Sequence, residues 1–249
     1  MKDEKIFSEI YEDVIARSKS SDREINNHIL KILRKHKIKK VWDNACGSGR
    51  QAIFLSNKGY KVLASDINKD FIKRLKNKRK HLNLRIKVRD MENPPNEKFD
   101  CIISRFNSIC HLNKKGLETA LGRWKNSLNK NGLIIFDIFN KNRILKDIPN
   151  YEFIQRAMER DSKKIIAFNK TKYNKKSKIL KSNLKIYLQE HFKKPSINKM
   201  SVKQRIYSTE EIINLIKKTG LLLQEISEPK GGKFNQGKSL FALFIIKSN

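Results

Sequence analysis

Cysteine is scarce: the chain has three in 249 residues, Cys46, Cys101 and Cys110. An odd number without CxxC spacing argues against a disulfide framework and against a zinc site, so reduced core residues and no metal are expected. Long apolar runs are missing as well. No stretch of about eighteen apolar residues occurs, and no membrane-spanning helix is expected. The opening MKDEKIFSEIYED carries acids and has no apolar h-region, which argues against a secretory signal and leads to the expectation of a cytoplasmic protein. Acids are few overall, 25 against 56 Lys and Arg, for a formal net charge of +31. Such a charge attracts polyanions. Yet 42 lysines outnumber 14 arginines and travel with 24 asparagines, the pattern of a general compositional bias and not of a face built from bidentate Arg donors.

What is present is organised around Lys40 to Asp66, KVWDNACGSGRQAIFLSNKGYKVLASD. It parses as strand, glycine turn, helix, loop, strand. Val41 and Trp42 are apolar, Gly47 and Gly49 follow, Ala52 to Leu55 can bury one side of a helix that stops at Gly59, and the strand Tyr60 to Ser65 delivers Asp66. The glycines allow close backbone approach to a ligand, the helix offers unpaired N–H groups, and an acid at the second strand's end can accept from two ribose hydroxyls. A lone GxG is a weak signal, and a plain tight turn is the competing reading. Asp66, seventeen residues after Gly49, strengthens the nucleotide reading. No GK[ST] follows the glycines, which excludes a P-loop, and Ala52 stands where GxGxxG needs its third glycine. Asp43 would repel a pyrophosphate but could order the loop or accept from the ammonium of an amino-acid-like ligand.

With DNACGSGRQA at Asp43 to Ala52, the sequence resembles the class I S-adenosylmethionine-dependent methyltransferases, in particular small stand-alone members whose first motif runs D-x-x-C-G-T-G-R-x-A. The resemblance continues through VLASDIN at 62–68, VRDM at 88–91, FDCIISRFNSICHL at 99–112, LNKNGLIIFDIFN at 128–140 and RIYSTEEIINLIKKTGL at 205–221. It departs at Ala45, where the family often has glycine, and at Asn131, which replaces a proline or glycine before Gly132. The resemblance implies S-adenosyl-L-methionine as cofactor, held by Tyr11, Asp43, Ala45, Gly47, Gly49, Arg50, Asp66, Ile67, Asp90, Met91 and Arg105. Within that set it implies Tyr11 near the methionine end, Ile67 against the adenine, and Asp90 with Met91 reading the adenine edge. An ordinary aromatic in a helix interface is the competing reading of Tyr11.

Elsewhere, residues 3 to 37 read as helical, with Ile6, Ile10, Val14, Ile25, Ile29, Ile32 and Leu33 at helical intervals and a polar break at Ser18 to Arg23. Lys69 to Lys80 reads as a helix, Leu84 to Val88 and Phe99 to Ser104 as strands, Gly116 to Leu128 as a helix, NKNG as a turn and Leu133 to Asp137 as the fifth strand. Past the fourth strand, His111 is the candidate base and Asn107 a hydrogen-bonding group for an acceptor, with packing roles as the alternative. Residues 151 to 194 alternate in KIIAFNKTKYN and NLKIYLQEHF, read as antiparallel strands with SKILKS between them. Tyr173, Tyr187, His191 and Phe192 are the side chains there that could face a substrate. Ser208 and Glu211 form a capping box for a helix from Thr209 to Lys218; Leu221 to Ile226 and Ser239 to Ile246 read as the last strands. Nine basic residues and no acid occupy 73–89, and nine lysines and no acid lie within 163–185, either solvated faces or RNA contacts.

The expected fold is α/β: a seven-stranded mixed, mostly parallel, doubly wound sheet of the class I methyltransferase type, with a small antiparallel β insertion after the fifth strand. One domain spans 1–249, divided into a helical cap (1–37), a cofactor-binding core (38–140), an inserted lid (141–204) and a C-terminal return to the core sheet (205–249). The expected activity is direct methyl transfer to nitrogen or oxygen of a small-molecule acceptor. RNA as acceptor, and a non-catalytic protein that keeps the fold, are the alternatives.

Overall fold

The computed structural model describes residues 8, 9, 11, 14, 19–78, 84–148, 152–160, 162–191 and 193–248. The elements run α1 (Lys19–Lys35), β1 (Lys40–Asn44), α2 (Arg50–Asn57), β2 (Lys61–Asp66), α3 (Lys69–Lys78), β3 (Leu84–Val88) and β4 (Phe99–Ser104). A 3-10 turn (Ser108–His111), α4 (Lys114–Asn126), β5 (Leu128–Phe139) and α5 (Lys141–Asp147) follow. Next come β6 (Phe153–Arg160), β7 (Lys163–Asn174), β8 (Ile179–Glu190), β9 (Ser196–Arg205), α6 (Thr209–Lys218), β10 (Leu222–Ser227) and β11 (Phe241–Lys247).

Seven strands make the main sheet in the order β10-β11-β5-β4-β1-β2-β3. The pairs β3-β2-β1-β4-β5 are parallel, and β11 lies antiparallel between β5 and β10. The remaining four strands form a separate antiparallel sheet, β6-β7-β8-β9. Strand order reverses between β1 and β4, so the crevice at their carboxyl ends is where an open α/β sheet binds its ligand.

Alternation along the strands builds a core on each face of the sheet. Trp42, Leu63, Ile102, Ile134 and Phe136 pack with Leu121 and Trp124 of α4 and Ile212 and Leu215 of α6. Val41, Ala64, Cys101, Ile103 and Ile135 pack on the other side with Leu33 of α1, Ala52 and Leu55 of α2, and Leu75 of α3. Both tryptophans are fully buried with their N–H groups satisfied, Trp42 Nε1 donating to Ser65 Oγ at 2.9 Å and Trp124 Nε1 to the Met91 carbonyl at 2.7 Å.

Some expected boundaries are corrected. Of the expected polar break, residues 19–23 are helical: α1 starts at Lys19 and carries Asp22 in its first turn, where an acid favours a helix start, while Ser18 lies outside the described residues. NKNG lies within β5, where Asn131 takes a left-handed backbone (φ 63°) and the β4 pairing shifts register; a local kink turns the chain without ending the strand. SKILKS is not a linker, because β8 already begins at Ile179 and the turn is Lys175 to Lys178. The capping box stands as expected: Glu211 N–H donates to Ser208 Oγ and Ser208 N–H to Glu211 Oε2. The expectations for Ile6, Ile10, Lys80 and Phe192 fall outside the described residues.

Candidate functional site

The loop after β1 is fixed by backbone bonds. Cys46 N–H donates to the Ser65 carbonyl and Gly49 N–H to the Cys46 carbonyl, each at 2.9 Å. Ala45 and Gly47 are both left-handed, φ 50° and 51°, and at Ala45 the side chain carries a strain that glycine would not. The two glycines do different things. A Cβ on Gly47 would meet nothing within 4 Å, whereas one on Gly49 would run into the Leu75 side chain at 2.2 Å. Gly49 therefore serves the packing of the loop on α3, and Gly47 is the point open to a ligand.

Asp66, at the end of β2, accepts from Gly47 N–H at 2.8 Å and from Asn68 N–H at 2.9 Å, one on each carboxylate oxygen. Each oxygen keeps a lone pair for a further donor. Burial pushes its pKa up, opposed by those two N–H groups and by nearby His111. Directly after it, Ile67 is 67% exposed, an apolar side chain held in solvent beside a buried acid. Asp90, two residues past β3, accepts from Glu92 N–H at 2.9 Å, and Met91 packs against the core.

By strand alternation Asp43, Arg105 and Asp137 stand on the same face of three neighbouring strands, β1, β4 and β5. Arg105 is 2% exposed and its Nε donates to Asp137 Oδ2 at 3.0 Å. Its Nη1 and Nη2 have no hydrogen-bond partner, and neither do Asp43 Oδ2 or both amide atoms of buried Asn44. Burial raises the Asp43 pKa to about 7 even though Arg105 acts to lower it. Native proteins leave few buried polar atoms unpaired, so this concentration at the carboxyl ends of the central strands makes them the candidate ligand site. Arg50 is different, because it forms an ion pair with Asp22 and so ties α2 to α1.

Past β4, Phe106 and Asn107 are both left-handed (φ 61° and 60°), an uncommon pair of conformations held from β5. Asp137 Oδ1 accepts from Asn107 N–H at 2.8 Å, and Asn107 Oδ1 accepts from Phe139 N–H at 2.9 Å. That leaves Asn107 Nδ2 buried and unpartnered. His111, at the end of the 3-10 turn, touches the inserted sheet: its Nε2 lies 3.4 Å from Gln204 Nε2, and its ring bonds the Lys203 carbonyl. Burial lowers its pKa, opposed by Asp66 and that carbonyl. Tyr11 packs edge-on against Phe71 of α3 with ring centroids 5.3 Å apart.

The inserted sheet has two unlike faces. Ile165, Ala167, Leu184 and Ile186 are buried with Val14 of the N-terminal segment. On the same face lie Asn169, Thr171 and Tyr173, while Ile166, Tyr187 and Ile197 pair across the opposite, outer face. Lys170, Lys172, Lys181 and Lys185 alternate onto that outer face too, away from the strand-end crevice. Tyr187 therefore does not look toward the site, and His191 lies exposed in the turn after β8. A shallow hollow lined by Glu118, Gly122, Arg123 and Thr219 lies where α4 and α6 end, at the opposite edge of the strands, and borders none of these groups. Asp137, Asn44 and Gln204 were missed by sequence reasoning. A charged residue inside the apolar run LIIFDIF was the available signal for Asp137.

Strand order, the antiparallel penultimate strand, the glycine turn and the acids at consecutive strand ends define the class I S-adenosylmethionine-dependent methyltransferase fold, with an inserted antiparallel sheet. Residues 41–132 match the model of a methyltransferase domain. The chain superimposes on an S-adenosylmethionine-dependent methyltransferase from Clostridium acetobutylicum with a TM-score of 0.84, 18% identity and 98% of each chain covered. It superimposes on the sugar N-methyltransferase KedS8 from a Streptoalloteichus species with a TM-score of 0.76 and 11% identity, covering 91% of this chain and 87% of that one. It is 28% identical over 155 residues to glycine N-methyltransferase of Oryctolagus cuniculus, which is 55% of this chain and 52% of that protein. The chain thus spans about half the length of the curated relative it matches. Among the described residues, no helix is long and apolar enough to cross a membrane.

Proposed function

We propose that this chain is an S-adenosylmethionine-dependent methyltransferase that moves a methyl group to nitrogen or oxygen of a small-molecule acceptor. The observation that carries the reading is the set of unpartnered buried groups on Asp43, Asn44, Arg105 and Asn107, beside an Asp66 carboxylate with acceptor capacity to spare. The residues fit the cofactor in kind. Asp66 would accept from the ribose hydroxyls, Ile67 would cover the adenine, and Asp90 with the Met91 N–H would read its edge. Arg105 and Asn44 would meet the carboxylate and ammonium of the amino-acid end, over the open backbone at Gly47.

When bound, S-adenosylmethionine supplies a methyl group already activated on a sulfonium sulfur. The protein's task is then alignment and exclusion of water. Asn107 Nδ2 is available to orient an acceptor, because Asp137 and Phe139 fix the rest of that residue. The downward direction of the His111 pKa favours the neutral ring, the state needed to take a proton from an acceptor amine. Its contacts to Lys203 and Gln204 must loosen first, so the inserted sheet acts as a lid over the acceptor. No covalent intermediate is needed.

The chain's similarity to a sugar N-methyltransferase and to a glycine N-methyltransferase supports a small polar acceptor. RNA is the weaker reading, since Lys170, Lys172, Lys181 and Lys185 lie on the lid's outer face, away from the crevice. Titration calorimetry with S-adenosylhomocysteine tests the cofactor site; a folded sample that takes up none overturns the proposal. Binding without transfer of labelled methyl to any acceptor would support a non-catalytic protein.

A further inference from the structure

Among the described residues, two unpartnered polar atoms lie on the inner face of the lid, apart from the cofactor crevice. Asn169 is 8% exposed, and its Oδ1 has no hydrogen-bond partner; neither has Thr171 Oγ1, two residues along the same strand. Neither atom is reached by solvent.

The orientation of Asn169 is set by its neighbours. Gln155 turns its Nε2 toward the Val14 carbonyl at 3.5 Å, which presents its Oε1 to Asn169 Nδ2 at 2.8 Å. Reversing both amides would set Gln155 Oε1 against the Val14 carbonyl, oxygen to oxygen. The free atom of Asn169 is therefore an acceptor, and it calls for a hydroxyl or amine donor. Thr171 can donate or accept.

Register places these groups relative to the reaction site. Tyr173, Leu180 and Gln204 are direct cross-strand neighbours, and Gln204 reaches His111 at 3.4 Å. The next row inward is Thr171, Ser182 and Val202, and the one after it is Asn169, Leu184 and Met200. Alternate residues on a strand are spaced about 6.7 Å apart and β7 lies two strands, about 10 Å, across from β9, so Thr171 is about 12 Å and Asn169 about 16 Å from Gln204 along the sheet.

We propose that Asn169 and Thr171 form an acceptor-recognition subsite on the lid for a polyhydroxylated or amino-sugar acceptor longer than one ring. Its methyl-accepting atom would lie at the His111 end, and its distal hydroxyl or amino groups would donate to Asn169 Oδ1 and bond Thr171 Oγ1. Glycine, with its few atoms, is too short to span from His111 to either group. The inference rests on the methyltransferase reading above. Entry requires the sheet to lift from Val14 and from His111, which the same ligand would reward by pairing both orphaned groups.

The test uses the full chain, labelled S-adenosylmethionine, and three acceptors: glycine, glucosamine and the chitosan disaccharide. Thr171→Val preserves shape and removes the hydroxyl, Thr171→Ser restores it, and Asn169→Ala removes the acceptor. S-adenosylhomocysteine should bind all forms equally in calorimetry. The wild type should label the disaccharide in preference to glycine, with KM for the disaccharide raised roughly tenfold in Thr171→Val, kcat within twofold, and recovery in Thr171→Ser. Preference for glycine, no labelling of either sugar, or an unchanged KM in Thr171→Val overturns the subsite. Absence of S-adenosylhomocysteine binding by the wild type overturns the methyltransferase reading instead. If Asn169→Ala fails to fold, the Thr171 pair decides alone.

Discussion

Asp66 Oδ2 accepts a hydrogen bond from the Gly47 N–H, nineteen residues earlier in the chain, at 2.8 Å. One carboxylate thus clasps the glycine loop and, through its remaining lone pairs, faces the crevice. Asp66→Asn presents an NH₂ or a neutral oxygen where a charged acceptor stood. It should weaken S-adenosylhomocysteine binding by about 1–3 kcal/mol, read by calorimetry. Unchanged affinity would remove Asp66 from the proposed ribose site.

The Arg105 and Asp137 side chains form an ion pair at 1% and 0% exposure. Removing one partner strands the other charge in the core. Arg105→Met should cost about 3–5 kcal/mol in urea unfolding, and the double substitution with Asp137→Asn should cost less than the sum of the two singles. Strict additivity would show that the two do not act as a pair.

Asp43 couples stability to pH. Burial raises its folded pKa from the ordinary carboxylate range to about 7, with Arg105 opposing. Its folded pKa lies above the unfolded one, so its contribution is fully present below the unfolded value and is lost as pH rises through about 7. The ligand-free protein should lose stability between about pH 4 and pH 7 from this group. Asp43→Asn should flatten that slope in denaturant melts at a series of pH values; an identical slope would contradict the assignment.

Ala45 takes φ 50°, a left-handed conformation that costs an alanine about 1–2 kcal/mol relative to glycine. Glycine also has more freedom to lose on folding. Ala45→Gly should therefore stabilise the chain by up to about 1 kcal/mol in urea unfolding, with cofactor binding kept. Clear destabilisation would mean that the methyl group makes a contact worth more than the strain.

Ile67 is exposed in the ligand-free state, so its removal should leave stability within about 0.5 kcal/mol. Ile67→Ser should nevertheless weaken S-adenosylhomocysteine binding, because the covered apolar surface is lost only in the complex. Equal affinity would displace the adenine from this side chain.

Much of this protein was determined by its sequence alone. The main parallel strands, the turn at Gly47 and Gly49, and the acids at 66 and 90 are local patterns: continuous apolar runs buried on both faces, glycine where φ is positive, a polar residue where a buried strand ends. The Ser208 and Glu211 box is likewise a four-residue property. Tertiary structure alone decided which groups meet. Asp137 joins Arg105 only because β4 and β5 are neighbours, though thirty-two residues separate them in sequence. Gln204 reaches His111 across ninety-three residues because the lid folds back over the 3-10 turn. Which face of the lid carries Asn169 and which carries Tyr187 follows from strand register, and a one-residue slip would exchange the two faces.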